Sequence, residues 1–83
     1  MSYTERFAVY GFVTTHDALT AEAAIERAEV AATTIPAPRE LGSLCGLALR
    51  VLEIDAPDAE GAMAASGISW TGRIELEDRV PHR

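Results

Sequence analysis

At 83 residues, with 48% of them hydrophobic and 24% charged, the chain is one small domain rather than a disordered segment, and it buries only about 60% of the surface its unfolded form exposes. Its net charge of -6, with arginine the only strong cation, offers no basic stripe for phosphate and disfavours nucleic acid or an anionic membrane as partner. No apolar run approaches the ~20 residues of a membrane span or the pattern of a cleaved signal, which reads as a cytoplasmic protein. One cysteine beside two histidines supplies neither an internal disulfide nor the paired spacing of a zinc site, and no cofactor is implied.

A single domain over 1–83 is expected, with its core in 6–76 and flexible termini at 1–5 and 77–83. Arg6 to Val13 (RFAVYGFV) predicts a strand from its aromatic and β-branched content. Phe7, Val9 and Val13 point one way and Ala8, Tyr10 and Phe12 the other, as in a central strand with both faces at least partly covered. Thr14 then caps a helix with Asp17 in its first turn. That helix runs to about Arg27 or Ala28 behind a narrow stripe of Ala18, Ala21, Ala24, Ile25 and Ala28, with Leu19 at its edge.

Val30 to Ile35 predicts a second strand, weak in bulk, which delivers the chain into the stretch that the rest is arranged around: Ile35 to Arg50, IPAPRELGSLCGLALR. Pro36 and Pro38 lack amide donors and hold Ile35 and Ala37 extended, so this opening is neither helix nor inner strand. The loop ends at Cys45-Gly46, where Gly46 permits a turn or a close approach closed to other residues. Leu47 to Ile54 is the third strand, with Leu47, Leu49 and Val51 on one face and Ala48, Arg50 and Leu52 on the other.

Asp55 caps a second helix, Pro57 sits in its first turn and Gly67 stops it. Gly61 costs that helix roughly 1 kcal/mol against alanine, and Met63 is its one sizeable apolar side chain, so it is the softest element. Ile68 to Leu76 alternates Ile68, Trp70, Ile74 and Leu76 against Ser69, Thr71, Arg73 and Glu75, the pattern of a half-exposed strand. Trp70 anchors the core, and His82 belongs to the tail.

The order β-α-β-β-α-β points to an α+β, two-layer ferredoxin-like sandwich: a four-stranded antiparallel sheet with two helices on one face. Leu47, Leu49, Val51, Ile25, Ile68 and Trp70 are expected in the core. Tyr10, Phe12 and Leu52 are expected on the helix-free face, as the surface of a homodimer. Strand directions in this fold bring the Thr14–Asp17 turn and the Pro36–Cys45 loop to one end, so that His16 and Cys45 sit near each other.

Cys45 is then either a reactive loop thiol or an inert packed one. An arginine about 6 Å away is worth ~3 kcal/mol to a thiolate at an effective dielectric of ~20, and Arg39 and Arg50 are both near in sequence. His16 is a proton acceptor or donor, or simply a solvated first-turn residue, and Asp17 is a capping side chain. Arg39 and Glu40 read as an exposed pair worth at most ~1 kcal/mol.

Phe12-Val13-Thr14-Thr15-His16-Asp17-Ala18-Leu19 with Ala21-Glu22, Ile35-Pro36-Ala37-Pro38-Arg39-Glu40-Leu41, and Cys45-Gly46-Leu47-Ala48-Leu49-Arg50 together resemble the putative selenium/sulfur carrier protein-like family, formerly a domain of unknown function. The likeness covers roughly Phe7 to Ile74, with Gly42-Ser43-Leu44 standing where a serine-rich run is expected. The resemblance implies that Cys45 holds sulfur or selenium as a persulfide or perselenide, passed between donor and acceptor proteins, so that the chain is a carrier rather than a turnover enzyme. His16 would move the proton, and Arg39, Thr15, Ser43 and Gly46 would bind. The alternative from another class is a module that holds a small anion through Arg39, His16 and loop amides, in which Cys45 packs. An oxidoreductase is disfavoured because a resolving cysteine is missing.

Overall fold

The computed structural model describes residues 2–42 and 44–81, with side chains for 4–42 and 44–78. Its elements are β1 (Ser2–Gly11), α1 (Thr15–Arg27), β2 (Thr33–Pro36), β3 (Leu47–Leu52), α2 (Ala56–Ala65) and β4 (Gly72–Pro81), with short 3-10 turns at Arg39–Leu41 and Glu53–Asp55. The sheet runs β2-β3-β1-β4 with every neighbouring pair antiparallel, and both helices lie against one face, which is the ferredoxin-like α+β arrangement.

Strand β1 ends at Gly11 rather than Val13 and β3 at Leu52 rather than Ile54, where the chain turns into the Glu53–Asp55 segment; three larger differences from the sequence expectation remain, and two of them share one cause. Helix α1 starts as expected, with Thr14 Oγ1 accepting from the Asp17 amide at 3.0 Å. At its end Glu29 takes a left-handed φ of 63°, Glu29 N donates to Glu26 O and Val30 N to Ile25 O. This paired closure turns Val30 under the helix into the core, so the strand starts only at Thr33. The same closure ends α2, where Gly67 has φ 73° and Ile68 N donates to Met63 O at 2.9 Å. Ile68 to Trp70 is consumed in that turn, and β4 begins at Gly72 rather than at Ile68. Ile68 and Trp70 therefore pack on the helix side, whereas Ile74 and Leu76 join the opposite face.

The third difference lies at the termini. Residues 2–5 and 77–81, expected to be loose, form one end of a ladder that pairs β1 with β4 from Ser2 opposite Pro81 to Gly11 opposite Gly72. Their polar side chains gave no strand pattern, but backbone amides pair whatever the side chains are. Met1, His82 and Arg83 lie outside the described residues.

Two apolar clusters result. Beneath the helices, Tyr10, Phe12, Ile25, Leu49, Val51 and Met63 are fully buried among small alanines, with Cys45, Leu47, Ile68 and Trp70 partly buried against them. The Trp70 ring meets Tyr10 edge-on, with centroids 5.4 Å apart. On the helix-free face, Phe7, Val9, Leu41 and Ala48 are buried, flanked by Ile35, Ala37, Leu52, Ile74 and Leu76. The surface expected from Tyr10, Phe12 and Leu52 is thus corrected: Tyr10 and Phe12 lie under the helices, and only Leu52 is on the helix-free face. Alternation separates a strand's residues into two sets, but it does not say which set a helix will cover.

The helix-free face is largely closed by the chain itself. Its upper row is Ala48, Gly11 and Gly72 across β3, β1 and β4, small enough for the proline loop to lie flat upon it. Leu41, only 2% exposed, is the loop's contribution to this second cluster. Lower down, the Arg50 guanidinium lies 4.2 Å from the centre of the Phe7 ring and reaches Asp78 at 2.8 Å. Arg50 Nε is buried without a hydrogen-bond partner among the described residues, a cost that the contact with the ring offsets in part.

Candidate functional site

The described residues of the proline loop, 37–42 and 44–46, cap the end of the sheet where β1 finishes and α1 starts. The loop's base is closed by Ala37 N donating to Gly46 O at 2.9 Å, one step beyond the last β2–β3 pair, Pro36 opposite Leu47. Leu44 N donates to Phe12 O at 3.1 Å, fastening the far side of the loop to the end of β1. On the remaining side, Leu41 O accepts from Thr71 Oγ1 at 3.3 Å, and Thr71 N donates to Gly11 O at 2.8 Å.

Cys45 sits between two of these fastenings. It is half-buried, its Sγ donates to Leu47 O at 3.6 Å, and its side chain packs on the helix-side cluster together with Trp70 and Ile68. Leu44 beside it points outward and is 78% exposed. Gly46 has φ 76°, and a side chain there would meet nothing within 4 Å, so it serves the turn rather than a close approach. Gly42, with φ 64°, provides a second such turn after the Arg39–Leu41 segment.

His16 and Thr15 are exposed in the first turn of α1, at the same end of the sheet as the loop. Arg39 is exposed on the 3-10 turn, and among the described residues it forms no ion pair with Glu40 or any other carboxylate. Ser43 lies outside the described residues. Arg50, the other cation near Cys45 in sequence, is turned to the helix-free face and is engaged with Phe7 and Asp78.

Two further features mark this end. Of the large apolar side chains most exposed among the described residues, Val13 at 50%, Leu19 at 52% and Leu44 are all here, and only Ile54 is elsewhere. An open cleft of about 500 Å³ lined by Ala64, Gly67, Ile68, Ser69 and Trp70 lies where α2 gives way to β4. Sequence reasoning missed Leu41, Thr71 and Gly72 as the supports of the loop. The signal available was Gly72, a glycine interrupting an otherwise regular alternation, which marks a close backbone approach.

These features define a small α+β domain that presents a cysteine on a fastened loop at one end of its sheet. A family model described as Putative Se/S carrier protein-like matches residues 8–75, and the chain belongs to that family. No curated protein and no solved structure matches it. No helix among the described residues is long and apolar enough to cross a membrane.

Proposed function

We propose that the protein carries one sulfur or selenium atom on Cys45 as a persulfide or perselenide and passes it between a donor and an acceptor protein. The observation that carries this reading is the family match, which spans the loop with the chain's one cysteine. The chemistry needs no oxidant. The Cys45 thiolate attacks the outer sulfur of a donor persulfide, the donor leaves as a thiol, and the acceptor thiolate later attacks the same outer atom and returns Cys45 to its thiol. His16 takes or returns the proton. Arg39, Thr15, Ser43 and the Gly46 amide hold the anionic cargo. The exposed Val13, Leu19 and Leu44 would give the partner proteins an apolar landing at the loop's end of the sheet.

Intact mass spectrometry after incubation with a low-molecular-weight persulfide or perselenide, each of which already carries its transferable atom at the right oxidation level, tests this. Wild type is expected to gain one sulfur or selenium atom that a reductant removes, and Cys45→Ser is expected to gain none. Absence of the adduct on wild type, or an equal adduct on the serine variant, removes the carrier reading. A second reading is favoured by the packing of Cys45 on the core and its bond to Leu47 O: a small-anion module built on Arg39 and His16, in which Cys45→Ser leaves binding intact.

A further inference from the structure

We propose that Gly72, with Thr71, is the positioning residue for Cys45: the first residues of β4 form the seat that keeps the thiol loop down on the sheet and the thiol half-buried. A Cβ built on Gly72 would lie 2.7 Å from Leu41 O, 3.5 Å from Leu41 C and 3.6 Å from Leu41 Cα. All three are backbone atoms, so no rotamer change relieves the clash; the loop or the start of β4 must move, and either breaks the contact between them. Gly42, Gly46, Gly61 and Gly67 would each meet nothing within 4 Å, so this crowding is particular to Gly72 among the glycines compared.

The contact is built from both sides. Thr71 Oγ1 donates to the same Leu41 oxygen at 3.3 Å, while Thr71 N is itself held at 2.8 Å by Gly11 O. The Leu41 side chain, 2% exposed, plugs the cluster below. Leu41 is therefore anchored by its carbonyl and by its side chain to one short piece of β4 and the sheet beneath it. From there the chain reaches Cys45 within a segment bracketed by the left-handed turns at Gly42 and Gly46. Cys45 follows Leu41 by four residues and is half-buried with its Sγ donating to Leu47 O at 3.6 Å, and a displacement at Leu41 is expected to reach the thiol and loosen both.

The proposal rests on the carrier reading for its purpose, since the seat sets how readily the thiol meets a reactant, but its test does not use cargo. The full chain and its Gly72→Ala, Thr71→Val, Gly61→Ala and Ile25→Val variants are compared in native buffer. Measured are the rate of Cys45 alkylation by iodoacetamide, the equilibrium constant for exchange of Cys45 with oxidised glutathione, and the global unfolding free energy. Gly72→Ala is expected to raise the alkylation rate about threefold or more and to shift the exchange constant by a similar factor. Thr71→Val moves both in the same direction by less, and Gly61→Ala moves neither. Unchanged reactivity in the first two variants overturns the seat, as does a rise no greater than Ile25→Val shows for the same loss of global stability. Should Gly72→Ala not fold, Thr71→Val decides alone. Altered reactivity in a protein that never accepts sulfur or selenium removes the carrier reading and leaves the seat; cargo loading with unchanged reactivity does the reverse.

Discussion

Tyr10 shows how one side chain can join the core to the surface. Its ring is buried under the helices, its hydroxyl donates to Glu60 Oε2 at 2.7 Å, and Glu60 in turn lies 3.2 Å from Arg73. Burial first, and the bond to the Glu60 carboxylate second, push the phenol well above its ordinary 10.0. A raised folded value means that the neutral phenol's contribution is complete below pH 10.0 and is lost as pH rises through the folded value. Tyr10→Phe is therefore expected to cost roughly 1–3 kcal/mol at neutral pH and to flatten the alkaline fall in stability. Urea titrations of both proteins from about pH 8 to about pH 11 would show it; parallel alkaline slopes would refute it. The pairing partner was not legible in sequence, because Glu60 is on α2 and Arg73 on β4. Cys45 and Gly46 were legible, since a lone thiol and a glycine at a strand mouth stand out by residue type.

Helix α2 is the element whose sequence and structure agree that it is soft. It buries only Ala56, Ala59 and Met63, and Asp55 occupies the cap position without a side-chain hydrogen bond. Gly61 is exposed, and a methyl there would touch nothing within 4 Å. Gly61→Ala is accordingly expected to stabilise the protein by about 0.5–1 kcal/mol, through helix propensity and a less disordered unfolded chain. A denaturation midpoint that does not rise would show that α2 needs glycine for a reason other than room. Its edge is held instead by polar contacts to the sheet, Tyr10 and Arg73 to Glu60. The β4 boundary differs at the same place, since residue alternation runs through Ile68 and Trp70 while the backbone closes the helix as far as Ile68 and enters the sheet only at Gly72.

For the whole molecule, the open question of a two-layer fold is what covers the second sheet face. Here Leu41 closes the upper part and Arg50 lies over Phe7, leaving Leu52, Ile74 and Leu76 as its partly exposed margin. We propose a dimer through that margin, resting on Leu52 and not on the buried Tyr10 and Phe12. Light scattering at high micromolar concentration is expected to give a dimer mass that Leu52→Asp returns to monomer. A monomeric wild type would remove the dimer. Leu52 is half-buried at the end of β3, so the variant's fold needs checking by circular dichroism in the same samples.

The sequence by itself determined the element order, the antiparallel sheet, the start of α1, the loop between the prolines and Gly46, and the family. The elements, the start of α1 and the loop follow from local causes, a missing amide at proline, a cap at Thr14, a glycine that can take positive φ, a period of two or of 3.6; the antiparallel sheet follows from the order of those elements, and the family from the likeness of the motifs that hold His16, Arg39 and Cys45. Tertiary structure alone decided which strand face the helices cover, where β4 begins, how far β1 and β4 pair, and what holds the thiol loop in place. Those outcomes depend on contacts between residues far apart in the chain, such as Gly72 with Leu41 and Tyr10 with Glu60; the glycine in the alternation marks a close approach, but no local preference names the partner in either pair.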